Sequence, residues 1–170
     1  MPISLRDIQP QDLSAAERVH LQAFPGPAEA RLVALLHASG QAPISLVASS
    51  DDEIVGHILF SPVTFHPPQH VRAIGLAPLA VLPRCQHQGI GSALIRSGLQ
   101  KCRAAGWDAA VVLGSPAYYG RFGFARAHGF GLGNEYQVDE EFMAMELTPG
   151  ILHGIEATVK YRPEFEEAGT

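Results

Sequence analysis

Gln86, Gly89 and Gly91, spaced Gln-x-x-Gly-x-Gly, lie between the apolar run Leu79-Ala80-Val81-Leu82 and an amphipathic stretch that begins near Ile90. A chain passing from strand to helix here presents the first backbone N–H groups of the helix without carbonyl partners, at the positive end of the helix dipole. Such a turn holds an anion, phosphate above all. Glycine, lacking a Cβ, lets the backbone take disfavoured torsions and come close to a ligand oxygen. Arg84 adds a fixed positive charge at the rim. Two other phosphate signatures fail. A Walker A loop needs lysine before its hydroxyl residue, whereas Gly91 precedes Ser92. A dinucleotide fingerprint wants glycine or alanine where Leu94 stands. The reading that needs no ligand is a tight strand-to-helix turn shaped by the same two glycines.

Further along, Tyr118-Tyr119-Gly120-Arg121-Phe122-Gly123-Phe124 places a phenol four residues before a Gly-Phe pair. The Gln86-x-x-Gly89-x-Gly91 loop after its Val-x-Pro strand end, followed by this segment, resembles the GNAT superfamily of N-acetyltransferases. The longer run from Val112 through Gly114-Ser115-Pro116-Ala117-Tyr118-Tyr119 to Phe124 resembles a bacterial subset of predicted acetyltransferases. The resemblance covers roughly Ile3 to Leu147, with its specific part between Leu79 and Phe124. It implies an α/β, α+β mixed-sheet protein of GNAT-like acyl-CoA N-acyltransferase fold, with a central mixed sheet flanked by helices. It also implies acetyl-CoA as acyl donor and direct transfer to a primary amine in a ternary complex.

Residue by residue, the resemblance assigns the main chain of Leu79, Ala80 and Val81 to the pantetheine arm. Arg84, Gln86, His87, Gln88, Gly89, Ile90, Gly91 and Ser92 fall around the diphosphate, and Tyr119 is the general acid for the departing thiolate. An N–H in the strand stretch would serve the oxyanion. Phe24 and Glu29 fall where the family lines its acceptor pocket. One departure matters: some members carry a glutamate base on the fourth strand, but Gly75, Leu76, Ala77 and Pro78 supply none. A water chain, His57, His66, His70 or Glu29 is left to take the proton of the amine. A coenzyme A-binding sensor or interaction module without turnover is the competing reading.

These groups need elements to position them. The apolar segment Ala73 to Leu82 reads as a central strand covered on both faces. Leu94, Ile95, Leu99 and Cys102 recur at helical spacing and Gly106 stops that helix. Ala109 to Leu113 is a second central strand, parallel to the first across the helical crossover. Pro116 to Arg121 forms a short helix. Upstream, Ile3 to Arg6 is a first strand and Ser14-Ala15-Ala16-Glu17 a capping box. That helix stops at Phe24-Pro25-Gly26-Pro27, and a second runs from Ala28 to about Ser39. Ile44–Ser49 and Glu53–Phe60 form a hairpin about Asp51-Asp52. Phe142–Leu147 and Ile155–Tyr161 read as late strands joined through Pro149-Gly150, and the acidic tail around Glu164-Phe165-Glu166-Glu167 as frayed.

At 170 residues with 46% hydrophobic content, one domain is expected over 1–170, with its core at about 3–147 and a strand extension over 148–170. The net charge of −5, from 12 basic and 17 acidic residues without a basic run, argues against nucleic acid. It suits a cationic small-molecule or peptide amine acceptor. No apolar stretch of about 18 residues and no leader pattern is present, so a cytoplasmic protein with no membrane partner is expected. A homodimer is carried by analogy with the family alone. His66 and His70 have the spacing of a helical metal pair, but Pro67 and Pro68 forbid that helix, so no metal is expected. Most of the eight histidines read as surface residues, and Cys85 and Cys102 as thiols.

Overall fold

Asp51 and Asp52 both sit at positive φ, 49° and 65°, the geometry that closes a two-residue hairpin with the native strand twist. The computed structural model describes residues 2–170. Its strands are β1 (Ser4–Asp7), β2 (Ile44–Ser50), β3 (Glu53–His66), β4 (Ala73–Val81), β5 (Ala109–Leu113), β6 (Ala125–Arg126), β7 (Leu132–Asn134), β8 (Phe142–Glu146) and β9 (Ala157–Lys160). Its α-helices are α1 (Leu13–Ala23), α2 (Ala28–Ala38), α3 (Ile90–Ala104), α4 (Pro116–Tyr119) and α5 (Pro163–Ala168). The chain divides into two compact units. One holds the chain up to Ser61, Ala77–Gly98 and Pro163–Thr170; the other holds Pro62–Leu76 and Leu99–Arg162.

In the first unit, β1 pairs antiparallel with β2, and β2 with β3. Leu46, Ala48, Leu59 and Phe60 are sealed from solvent, as are Leu94 and Ile95 from the apolar stripe of α3. Two glycines let α3 close on β3. A Cβ on Gly98 would fall 2.4 Å from the Phe60 ring, and one on Gly56 would fall 3.1 Å from Leu94. Helix α1 begins one residue ahead of the expected capping box, with Asp12 as its N-cap, so Ser14 lies inside the helix. The Asp12 carboxylate accepts from Arg6 at 2.5 Å, which with the Gln9 N–H at 2.7 Å holds it below the usual carboxylate range. The tail is not frayed. It forms α5 against α2, with Glu164, Phe165 and Ala168 buried and Ser39 Oγ donating to Glu164 at 2.8 Å.

The second unit holds the parallel strand pairing. Ala73–Leu76 of β4 pairs in parallel with Ala109–Val112 of β5, and β8 lies antiparallel on the far side of β5. Arg72 donates to the carbonyls of Ala105 and Gly106 at the end of α3, where Gly106 is left-handed at φ 87°. Cys102 is buried among apolar groups, and burial pushes its thiol up to about 12, so it does not ionise. Strand β3 runs past the expected Phe60 end to His66, because Thr64–His66 finds a partner in β9. β8 and β9 are not a hairpin about Pro149-Gly150: β8 pairs with β5 and β6, and β9 with β3 and β7.

Four side chains from four elements meet inside the first unit. His20 Nε2 of α1 lies 2.8 Å from His57 Nδ1 of β3, and His57 Nε2 lies 2.8 Å from Ser45 Oγ of β2. Ser45 Oγ in turn lies 3.1 Å from His37 Nε2 of α2. His20 and His57 are wholly buried, two exceptions to the expectation that most of the histidines lie at the surface, which His66, His70, His87, His128 and His153 meet. Burial lowers His20 to about 4; it also lowers His57, helped by the neighbouring His20 and His37, and it lowers His37.

A histidine kept neutral by the fold gains a proton on unfolding, so its contribution is present above the unfolded value near 6.5 and is lost as pH falls towards 4. His20 alone makes unfolding about 3 kcal/mol easier at pH 4 than at pH 7.5. Urea titrations across that range will show a shallower pH slope for His20→Gln than for the wild type; parallel slopes would refute the assignment. Phe165→Ala, expected neutral for a frayed tail, will instead lower the unfolding free energy by roughly 3 kcal/mol in the same titrations.

Candidate functional site

Strand β4 ends at Val81, a single 3-10 turn follows at Pro83–Cys85, and α3 starts at Ile90. Gly89 takes φ 85°, and open space surrounds the position its Cβ would occupy. His87 is also left-handed, at φ 64°. Gly91 is not left-handed. It belongs to the first turn of α3, so only one of the two glycines supplies the torsion expected of both. The first rung of the helix is Ala93 N–H to the Gly89 carbonyl at 3.0 Å. The amides ahead of that rung, Ile90 and Gly91 among them, have no carbonyl within the helix ladder. Arg84, Gln86, His87, Gln88 and Gly89 are exposed around this end, Gly91 and Ser92 are half-buried, and Ile90 is buried.

The side chains of the turn are partly engaged already. Gln86 Nε2 donates to the Val81 carbonyl at 3.0 Å and ties the turn to the end of β4. Arg84 Nη2 lies 2.6 Å from both carboxylate oxygens of Glu53, with both side chains more than half exposed. Arg84 is therefore an ion-paired rim residue, and an incoming anion competes with Glu53 for it. The free thiol of Cys85 lies 3.7 Å from Arg84 Nη1. Leu79, Ala80 and Val81 lie on β4 beyond Leu76, the last residue of its ladder with β5.

Tyr119 closes α4, in the second unit. Ser115 Oγ caps that helix by accepting from the Tyr118 N–H at 3.3 Å, and Pro116 occupies its first position. The Tyr119 ring stands edge-on to Tyr118 and Phe124, with centroids 5.1 and 5.9 Å away. Gly114 makes room for it: a Cβ there would fall 2.3 Å from Tyr119 Cε2. Gly123, at φ 103°, turns the chain so that Phe124 can pack. Burial, then the neighbouring Tyr118, pushes the Tyr119 phenol up to about 12, so its O–H stays intact at neutral pH.

Phe24 is the C-cap of α1 and is half-buried, stacked parallel to His20 with centroids 6.0 Å apart. Glu29 lies in the first turn of α2, also half-buried. His66 Nε2 lies 3.0 Å from Thr64 Oγ1, on the segment of β3 paired with β9. Sequence reasoning missed the linked His20, Ser45 and His37. Its one available signal was His20 falling on the apolar face of α1 with Ala16 and Val19. Among the described residues no helix is long and apolar enough to cross a membrane.

The profile of the Acetyltransferase (GNAT) family matches residues 11–124. YhbS of Escherichia coli K12, an uncharacterized N-acetyltransferase, is 33% identical over 158 residues, 92% of this chain and 94% of its own. The crystal structure of YhbS in complex with CoA matches at TM-score 0.92 and 32% identity, covering 96% of this chain and 92% of that one. A GNAT acetyltransferase of Brucella melitensis in complex with acetyl-CoA matches at TM-score 0.80 and 32% identity, covering 96% and 98%. A family profile over most of the chain, and relatives a third identical along nearly all of it, show that this protein belongs to the GNAT family of N-acetyltransferases.

Proposed function

We propose that the protein transfers the acetyl group of acetyl-CoA to a primary amine, with the diphosphate held at the first turn of α3 and Tyr119 serving the departing sulfur. The observation that carries this reading is the Gly89 turn, left-handed and open, delivering amides without helix partners at the positive end of a fifteen-residue helix. The main chain of Leu79, Ala80 and Val81 is assigned to the pantetheine arm, and the loop from Arg84 to Ser92 to the diphosphate. Phe24 and Glu29 are assigned to the acceptor, a small-molecule or peptide amine met in the cytoplasm. The donor chemistry is supported by the CoA and acetyl-CoA complexes of the two similar structures. The Gly114-to-Phe124 run is proposed as the mark of a bacterial subset, since Gly114 and Gly123 both serve the packing around Tyr119.

The chemistry follows in order. A neutral amine adds to the thioester carbonyl, and the tetrahedral intermediate collapses with cleavage of the C–S bond. A phenol near 12 is a weaker acid than a thiol near 8.5, so Tyr119 gives up its proton completely only when it is resupplied. The second proton on the nitrogen of the intermediate is that supply.

Two experiments test this. Added acetyl-CoA will raise the thermal midpoint of the wild type, because a ligand that binds only the native state stabilises it. Gly89→Glu, which puts a carboxylate and a strained left-handed side chain at the anion site, will abolish the shift; an undiminished shift would put the diphosphate elsewhere. In a thiol-release assay across a panel of amines, Tyr119→Phe will lower kcat on the order of 10²-fold with KM for acetyl-CoA unchanged. Equal rates would remove Tyr119 from the chemistry.

A further inference from the structure

Acetyl transfer from thioester to ammonium does not balance without a proton exit. An ammonium that becomes an amide sheds two protons, and the thiolate leaving group takes one. One proton per turnover must therefore reach solvent, and Gly75-Leu76-Ala77-Pro78 of β4 offers no carboxylate to receive it. The linked side chains of the first unit have the composition such an exit requires. A neutral imidazole offers one donor and one acceptor, and a hydroxyl offers both. Along His20, His57, Ser45 and His37, each contact of 2.8, 2.8 and 3.1 Å therefore pairs one donor with one acceptor. With His57 neutral, the polarity of its contact with His20 fixes that with Ser45, and Ser45, whose hydroxyl meets His57 and His37, then has His37 as the acceptor for its own hydrogen.

The two ends differ. His20 Nδ1 is buried and has no hydrogen-bond partner among the described residues, and the His20 ring stacks on Phe24 at the start of the α1–α2 connection. His37 is half-buried and lines a groove of about 390 Å³ with Ile8, Gln9, Pro10, Leu13 and Ala34. A buried N–H without an acceptor is the rarer and costlier orphan, so the favoured polarity leaves a lone pair at His20 Nδ1. In that arrangement His20 Nε2–H donates to His57 Nδ1, His57 Nε2–H donates to Ser45 Oγ, and Ser45 O–H donates to His37 Nε2.

Resting on the acetyl-transfer reading above, we propose that His20, His57, Ser45 and His37 form the path by which the proton shed by the acceptor amine leaves the protein. A proton arriving at His20 Nδ1 displaces the Nε2 proton onto His57, that of His57 Nε2 onto Ser45, and that of Ser45 onto His37 Nε2. His37 then releases its Nδ1 proton to water. One N–H or O–H bond forms and one breaks at every member, and no charge stays in the interior. The Ser45 hydroxyl and the rings turn back before the next cycle. Among the described residues the titratable groups acting on His57 are His20 and His37, and burial lowers those two as well, which favours the neutral form of all three rings at pH 7.

The test uses the full chain, acetyl-CoA and a panel made of a polyamine, an aminoglycoside and a lysyl peptide. His57→Gln and Ser45→Ala are expected to lower kcat on the order of 10²-fold at pH 7 with KM for acetyl-CoA unchanged. The deficit will shrink as pH approaches the amine's own value near 10.4, where solvent has already deprotonated it. Ser45→Thr, which keeps the hydroxyl, will recover the rate. An unchanged kcat, or an equal loss at every pH, would overturn the path and leave the transfer reading standing. Nitrogen-15 spectra of the wild-type imidazoles are the activity-independent readout. Proton-bearing Nε2 at His20 and His57 supports the polarity, and a proton-bearing Nδ1 at His20 refutes it. A wild type that releases no thiol with any amine, yet gives the expected spectra, would refute the transfer reading and, with it, the path's role in it.

Discussion

Backbone amides that α3 cannot satisfy from within itself are the constraint around which the first unit is arranged. Such amides attract an anion only if the helix end is fixed, and the packing of α3 fixes it. Gly98 admits the Phe60 ring where any side chain would collide, and Gly56 admits Leu94, so the ring lies against the backbone of α3 and Leu94 against that of β3. Gln86 ties the turn to Val81 from the other side. Because the attraction belongs to the backbone, side chains in the turn are free to differ in role. Arg84 is engaged with Glu53 and His87 simply tolerates a left-handed torsion, without weakening the field at the helix end.

The same logic separates what was legible in the sequence from what was not. Strand β4, helix α3 and strand β5 are written locally, in an apolar run, a helical period and a terminal glycine, and they appear where the residues put them. The continuation of β3 through Pro62 to His66 has no local signature, because its partner strand β9 lies far along the chain. β6 and β7 are two and three residues long and exist only by pairing with β8 and β9. Glu164 looks like part of a solvated acidic tail until α2 and Ser39 are brought against it. For the candidate site, the motif residues lie on the turn and the short helix as read. The division of labour between Gly89 and Gly91, and the pairing of Arg84 with Glu53, arise only when the turn is folded against β3.

The histidines show a deeper limit. No spacing rule joins residues 20, 37, 45 and 57, because each comes from a different element and the hydrogen bonds depend on the packing of all four. What burial does to them is also opposite to what a lone histidine suggests. Solvated imidazoles near 6.5 would share charge at neutral pH, whereas burial favours the neutral ring in these.

A carboxylate base and a histidine series answer the same chemical need by different physics. A carboxylate holds the proton it takes, and its negative charge must be kept in place beforehand at a desolvation cost. A ring lowered to about 4 is a poor place for a proton to rest, which would disqualify His20 as an isolated base. Within a series it has only to pass a proton on while one arrives, and the charge appears at His37, where half-exposure lets water solvate it. The burial that weakens His20 as a base also keeps it from trapping the proton, so one that enters the series is passed along rather than held.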